Sequence, residues 1–177
     1  FGGRMKENVE RCGATAVMVM DRWGDPVDPG KLEAAIKAHP DAKVVAFVHA
    51  ETYTGVRSDA GTLCRLAKDA GMLVIVDAVT SLAGIELKAD EWGADVIYSG
   101  TQKCLSGLPS ISPITLGDEA VEVIRSRTQK VQSWFLDMNL IMGYWGEGAK
   151  RSYHHTAPVN AVYGIHEALI MLEEEGL

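Results

Sequence analysis

Short apolar segments alternate with helical segments over most of the sequence, and this alternation is the strongest constraint on the fold. Five segments have the length and apolar content of buried strands: residues 14–20, 43–49, 72–78, 95–99 and 112–117. Strands that are apolar on both faces and alternate with helices of about 10 to 15 residues predict a mainly parallel sheet covered by helices on both sides. We therefore expect a three-layer α/β fold.

The ends of the predicted helices carry residues that commonly start and stop helices. Asp28 is the predicted N-cap of one helix, with Pro29 as its first residue. A second helix is predicted from about Asp59 to Ala70, closed by Gly71. After Asp118 the pattern becomes mostly helical, and no linker or internal repeat interrupts it. We therefore expect one domain without an internal boundary.

The charge of the chain limits which partners are expected, and its cysteine content indicates the compartment. The formal net charge is −7 and basic residues do not cluster, which argues against nucleic acid or an anionic membrane as the main partner. The three cysteines are widely spaced, so they predict neither a CxxC metal site nor a disulfide framework. No apolar run approaches the roughly 18 residues that a spanning helix needs. We expect a soluble protein of the reducing cytoplasm.

Three of the loops that follow predicted strands carry side chains that chemistry can use: "HAETYTG", "DAVTS" and "SGTQK". In open α/β sheets, ligands bind outside the carboxyl ends of the strands. A lysine in a partly desolvated pocket has a lowered pKa, which favours the neutral amine that attacks carbonyl groups. Lys103 is the candidate for such an amine. From the residues alone, a surface lysine is the default interpretation of Lys103, and Asp77 is equally interpretable as a cap or turn residue.

The segment "VDAVTSLAGIELKADEWGADVIYSGTQKCL" resembles the core of the fold-type I, pyridoxal-phosphate-dependent class V aminotransferases. It is most similar to the alanine–glyoxylate and serine–pyruvate branch. "HAETYTGV" resembles the H-[GA]-E-[ST]-x-TGV loop of that branch, and "SYHHTAPVNAVYGIHEAL" resembles its Y-HHT-x-PV segment. Three motifs in the same order make the resemblance specific, and it covers nearly the whole chain.

The resemblance implies catalytic roles for two residues and a packing role for a third. Lys103 aligns with the lysine that binds pyridoxal 5′-phosphate as a Schiff base and transfers the proton between the substrate carbon and the cofactor. Asp77 aligns with the aspartate that pairs with the pyridine nitrogen and keeps the ring protonated. Val79 aligns with the residue packed against one face of the ring.

The resemblance also implies contacts with the polar groups of the cofactor. Thr52 aligns with a hydroxyl residue near the phenolic oxygen of the ring, and Gln102 with a phosphate-binding side chain. For these two, hydrogen bonding to loop backbone is the competing interpretation. Tyr153 and Thr156 align with residues that reach across a dimer interface to the phosphate of the partner's cofactor. A homodimer is therefore expected.

Other polar residues near these motifs are not assigned to the chemistry. His154 and His155 are adjacent and are expected to point in different directions, which is poor geometry for one metal ion, so no metal site is predicted. Cys104 has no visible base and is not predicted to be a nucleophile. The family usually has glycine at the position of Ser110, and a glycine position often requires a backbone conformation that is unfavourable for serine. The apolar stretch of residues 134–145 is expected to be core or dimer surface.

The resemblance implies a transaminase that moves an amino group from alanine or serine to glyoxylate or another small 2-oxo acid. Two alternatives stay open: another class V enzyme, such as a phosphonate or purine-pathway aminotransferase, and a non-catalytic oligomerising fragment. The sequence opens at Phe1 without an initiator methionine. We expect residues 1–177 to be the central part of the cofactor-binding large domain, without its N-terminal segment and the C-terminal small domain.

Overall fold

A four-stranded sheet forms the centre of the computed structural model, which describes residues 1–146 and 152–176. The strands β1 (Val44–Val48), β2 (Leu73–Asp77), β3 (Val96–Tyr98) and β4 (Ile114–Leu116) lie in that order across the sheet. The first three strands are parallel, and β4 runs antiparallel to β3. The predicted α/β fold with a mainly parallel sheet is confirmed.

Helices connect and follow the strands. They are α1 (Gly2–Arg11), α2 (Pro29–Ala38), α3 (Ala60–Asp69), α4 (Ala89–Trp92), α5 (Asp118–Ser126), α6 (Met138–Trp145) and α7 (Val159–Glu175). The side chain of Asp28 accepts a hydrogen bond from Gly30 N at 2.8 Å, and that of Asp59 accepts one from Thr62 N at 3.1 Å. The predicted N-cap at Asp28 and the predicted start of a helix near Asp59 are both confirmed, since these features depend only on residues close in sequence.

The core lies between α3 and the central strand β2. Leu63, Cys64 and Ala67 of α3 are fully buried, as are Val74 and Val76 of β2. The two valines are two residues apart and therefore share one face of the strand. Burial of each valine or leucine side chain contributes about 1.5–3 kcal/mol. This packing fixes the position of β2, whose last residue is Asp77.

An ion pair below the surface fixes the start of β3 relative to α3. Lys68 Nζ lies 2.9 and 3.0 Å from the two carboxylate oxygens of Asp95, and 2.8 Å from Glu119 Oε2. Asp95 is buried, and its Oδ2 also accepts a hydrogen bond from Val74 N at 2.7 Å. One carboxylate therefore links α3, β2 and the residue before β3.

Residues 14–20 do not form the buried strand that their apolar composition predicts. They belong to no strand of the sheet, and Val17 and Met20 are 51% and 70% exposed. A strand needs a neighbour to pair its backbone N–H and C=O groups, and none of the strands in residues 1–146 and 152–176 lies alongside this segment. The prediction of a strand here is wrong.

The apolar stretch of residues 134–145 includes α6, and half of its residues are exposed. Tyr144 is buried, whereas Trp134, Phe135 and Trp145 are each more than half exposed. The stretch is therefore not core, and its use as a dimer surface stays a prediction. Cys12, Cys64 and Cys104 are all free thiols. None of the described helices is long and apolar enough to cross a membrane.

Candidate active site

The three polar loops singled out in the sequence meet at the carboxyl ends of β1, β2 and β3. Thr80, in the loop after β2, donates its hydroxyl to Ala50 O at 2.6 Å in the loop after β1. Thr52 Oγ1 lies 3.5 Å from Thr80 Oγ1. Cys104 Sγ, in the loop after β3, lies 3.5 Å from Thr80 O. We call residues 49–56, 77–84 and 99–107 the strand-end loops.

Asp77 is the last residue of β2 and is only 4% exposed. Its Oδ1 accepts a hydrogen bond from Val79 N at 2.9 Å, which closes a local turn. Its Oδ2 accepts one from the hydroxyl of Tyr98 at 2.7 Å. Both carboxylate oxygens therefore have a donor, and neither donor carries a positive charge.

The carboxylate of Asp77 is suited to a cationic ligand. Within the described residues, no lysine, arginine or histidine nitrogen forms an ion pair with it. A buried charge is costly unless it is paired as well as hydrogen-bonded. Each oxygen keeps a lone pair after accepting one hydrogen bond. A protonated pyridine nitrogen supplies both the missing charge and a donor, so the group implied by the resemblance fits this site.

Lys103 lies in a tight turn whose backbone is fixed by hydrogen bonds to nearby backbone groups. Thr101 is fully buried, its N–H donates to Ile111 O at 3.2 Å, and its carbonyl accepts from Gly107 N at 2.7 Å. Lys103 O accepts from Ser106 N at 2.9 Å, while the half-buried side chain of Lys103 has no hydrogen bond or ion pair to another described residue. The turn fixes the backbone of the lysine and leaves its amine available.

A close approach of two loops brings this turn against the loop that follows Asp77. A Cβ atom placed on Gly84 would lie 2.7 Å from Cys104 Sγ and 3.1 Å from Cys104 Cβ. Those distances are shorter than ordinary contacts, so a side chain at position 84 does not fit unless Cys104 moves. Gly84 therefore allows the loop of Asp77 and the turn of Lys103 to touch.

Three further predicted residues lie in these loops, in different settings. Val79 is half-buried next to Asp77, and Thr52 is exposed beside Thr80. Gln102 is exposed, and its Oε1 lies 2.7 Å from where a Cβ on Gly100 would stand. All three belong to the strand-end loops, and their contacts with a cofactor stay predictions.

Tyr153 and Thr156 form a pair of their own. The hydroxyl of Tyr153 lies 2.6 Å from Thr156 Oγ1, and both side chains are exposed. Among the described residues, no hydrogen bond joins this pair to the strand-end loops. The two hydroxyls are thus together on the surface, and their contact with the partner subunit's cofactor stays a prediction.

His154 and His155 do not point apart as expected. Their Nδ1 atoms lie 2.7 Å from each other, so one ring donates a hydrogen bond and the other accepts it. The ring of His154 stacks on the ring of Trp134 at a centroid distance of 4.1 Å, and this contact orients the His154 ring. The directional argument was wrong because the backbone here is neither helix nor strand. Three or more potential metal ligands do not cluster anywhere in residues 1–146 and 152–176.

Ser110 takes the place of a family glycine without backbone strain. Outside glycine, the described residues with positive φ are Ala83 at 68° and Ser106 at 56°. Ser110 is therefore in the region open to any residue. The left-handed residue of this segment is Ser106, within the turn of Lys103.

His49 opens the first strand-end loop and is buried at 3% exposure. Its ring packs edge-on against Trp92 at 5.1 Å, and its Nδ1 has no hydrogen-bond partner among the described residues. Burial lowers the pKa of His49, and the positive charge of Arg57 lowers it further. His49 is therefore neutral at pH 7, and its buried ring packs at the start of the first strand-end loop.

Sequence reasoning missed Tyr98 as part of this site. Tyr98 ends β3, and the register pairs it directly with Asp77 on β2. Its place at the end of a predicted strand was visible in the sequence. The pairing was not, because it requires the order and register of the strands.

Comparison with known proteins gives consistent matches. The family model for class-V aminotransferases matches residues 5–177. The chain is 33% identical to the alanine–glyoxylate aminotransferase of Rattus norvegicus over 178 residues, which cover the whole chain and 43% of that protein. It is also 33% identical to the (S)-ureidoglycine–glyoxylate transaminase of Bacillus subtilis over 195 residues, which cover 46% of that protein.

The fold agrees with these matches. The crystal structure of alanine–glyoxylate aminotransferase from Nostoc sp. superposes with a TM-score of 0.94 at 41% identity, covering all of this chain and 46% of that one. The chain thus spans less than half the length of each of these relatives. A match over nearly all of its residues is enough to assign it: the chain belongs to the class-V aminotransferase family.

Proposed function

We propose that this chain is part of a transaminase that moves an amino group from alanine or serine to glyoxylate or another small 2-oxo acid. Class-V aminotransferases depend on pyridoxal 5′-phosphate. The observation that carries the proposal is the buried carboxylate of Asp77, without a cationic partner in the described residues, in a loop that touches the turn of Lys103. A carboxylate and an available amine at one sheet edge are the two groups that the cofactor requires.

Three residues of the strand-end loops would have separate roles in binding the cofactor and in proton transfer. When bound, the cofactor supplies an aldehyde that condenses with primary amines and a protonated ring that withdraws electrons from the substrate carbon. Lys103 Nζ would hold that aldehyde carbon until the amine of the substrate takes its place, and the released Lys103 amine would then accept and return the proton of the substrate α-carbon. Asp77 would hold the proton on the ring nitrogen. Val79 would pack against the ring.

The remaining polar residues would hold the edge and the phosphate of the cofactor. We place Thr52 near the phenolic oxygen of the ring and Gln102 at the phosphate. We further propose a homodimer, in which Tyr153 and Thr156 reach the phosphate bound by the partner subunit. The exposed aromatic residues of the 134–145 stretch support this assembly, because apolar surfaces of this kind commonly mark interfaces.

The names of the relatives support glyoxylate as the amino acceptor. The rat, Nostoc and Bacillus subtilis proteins are all named for reactions with glyoxylate. The named donors differ, since two of them use alanine and the third uses (S)-ureidoglycine. A purine-pathway transaminase is therefore the second candidate.

An absorbance titration tests the proposal. Addition of pyridoxal 5′-phosphate is expected to give a visible absorbance band that is lost in Lys103→Ala. The band should be kept in the control variant Lys130→Ala, since Lys130 is exposed and lies outside the strand-end loops. Alanine should remove the band and glyoxylate should restore it. A band that persists with alanine but falls with (S)-ureidoglycine favours the second candidate. Absence of the band in the unchanged protein would instead make the chain a non-catalytic module.

A further inference from the structure

Tyr98 holds Asp77 from the neighbouring strand. The two residues are directly paired in the parallel register of β2 and β3, and each ends its strand. The backbone continues the ladder past this pair, because Ala78 N donates to Tyr98 O at 2.9 Å. Paired residues of adjacent strands project to the same face of a sheet. The 2.7 Å bond from the Tyr98 hydroxyl to Asp77 Oδ2 therefore spans two elements whose spacing the sheet fixes.

The carboxylate of Asp77 is held at both oxygens, and the two holds are independent. Val79 N donates to Oδ1 from the chain that follows Asp77, and Tyr98 donates to Oδ2 from the next strand. Rotation of the carboxylate would break at least one of these bonds. Hydrogen bonds to ionised acceptors are roughly twice as strong as neutral ones. The orientation of the carboxylate is therefore fixed before any ligand binds.

The choice of a phenol as donor has an electrostatic consequence. Burial raises the pKa of Tyr98, and the hydrogen bond and charge of Asp77 raise it further, so the phenol keeps its proton at neutral pH. A neutral donor orients a carboxylate without cancelling its charge, whereas an arginine or lysine at this place would form an ion pair with it. The negative charge stays available to a cationic ligand.

We propose that Tyr98 is a positioning residue of the cofactor site, which aims the Asp77 carboxylate at the pyridine nitrogen while leaving its charge uncompensated. The inference rests on the proposed function, because only bound pyridoxal 5′-phosphate brings a ring nitrogen to this carboxylate. Tyr98 acts through Asp77 and touches no reacting atom itself.

Replacing the hydroxyl alone tests the inference. In Tyr98→Phe, the Kd for pyridoxal 5′-phosphate should rise by up to about tenfold, because binding must then immobilise a carboxylate that the phenol no longer holds in one orientation. With cofactor labelled with ¹⁵N in the ring, the nitrogen resonance should move toward that of the unprotonated ring. The matched control is Tyr163→Phe on the exposed side of α7, which should match the unchanged protein in both measurements.

A double-mutant cycle shows whether Tyr98 works through Asp77. In an Asp77→Ala background, Tyr98→Phe should change the Kd by less than about twofold, because the group that it orients is gone. An equal loss in both backgrounds would mean that the hydroxyl only supports packing, and would overturn the inference.

The remaining outcomes separate this inference from the proposed function. If the unchanged protein binds the cofactor and Tyr98→Phe leaves both Kd and resonance unaltered, the inference fails and the function stands. If the unchanged protein binds no cofactor, both fail. Should Tyr98→Phe not fold, 3,5-difluorotyrosine at position 98 keeps the shape and makes the phenol more acidic. The inference then requires that this replacement shift the ring-nitrogen resonance relative to that of the unchanged protein. An unshifted resonance overturns the inference.

Discussion

Gly84 and Cys104 lie so close that the position of a Cβ on the glycine is 2.7 Å from the cysteine sulfur. Gly84→Ala should therefore displace the turn that carries Lys103. We expect a loss of about 1–3 kcal/mol in the free energy of unfolding, as for other overpacked sites, measured by urea denaturation. Cofactor affinity should fall as well, as measured by absorbance titration.

Two variants control the Gly84 prediction. Gly84→Ala combined with Cys104→Ala removes the sulfur and should recover part of the loss. Gly3→Ala lies in α1 with nothing within 4 Å of the new methyl group, so it should be neutral or slightly stabilising. Equal stability of Gly84→Ala and Gly3→Ala would show that the two loops do not need this close approach.

The Lys68 and Asp95 pair should be worth far more than the surface ion pairs. Lys68→Ala leaves the buried Asp95 carboxylate without its cation, and we expect a cost of about 3 kcal/mol in urea denaturation. Lys37→Ala removes the exposed pair with Glu33 and should cost no more than about 0.5 kcal/mol. Similar costs for the two variants would contradict a structural role for the buried pair.

Stability should depend on pH through His49. The pKa of His49 is lowered in the folded protein, so the unfolded chain binds more protons as the pH falls below the ordinary value of 6.5. The free energy of unfolding should then decrease with falling pH, by up to about 1.4 kcal/mol per pH unit for this one group. His49→Gln should flatten this dependence between about pH 7 and pH 5. A slope that is unaltered in His49→Gln would refute the assignment.

Asp77→Asn keeps the shape of the side chain and removes its charge. If Asp77 stabilises a protonated ring, the variant should bind pyridoxal 5′-phosphate about tenfold more weakly or worse, the size expected for loss of a charged hydrogen bond. The measurement is an absorbance titration at neutral pH. Asp41→Asn, on the exposed turn before β1, is the matched control and should bind as the unchanged protein does. Equal affinity for both variants would place the ring nitrogen elsewhere.

Local features of the fold were predictable from the sequence, because they depend on neighbours in the chain. The cap at Asp28 is of this kind, and so are the start of α3 near Asp59 and the end of β2 at Asp77. The strand-end loops were also identified, since the carboxyl ends of parallel strands share one edge of the sheet.

Features that depend on distant partners were not predictable in the same way. The bond from Tyr98 to Asp77 requires the order of β2 and β3, which no residue pattern specifies. The stacking of His154 on Trp134 likewise joins segments that the sequence does not connect. Residues 14–20 have the composition of a strand, but composition does not supply the neighbour that a strand must pair with.

The unpaired segment of residues 14–20 bears on how this chain behaves at high concentration. Its exposed valine and methionine side chains, and a backbone that pairs with no strand of the sheet, resemble a free sheet edge, which readily templates pairing with another molecule. Pairing of this segment with a different surface of the next molecule is a contact that does not close, so it grows into filaments or aggregates of indefinite size. Aggregation that increases with protein concentration would then start at residues 14–20. A charged substitution at Val17 should suppress it, as measured by the amount of protein that stays in solution.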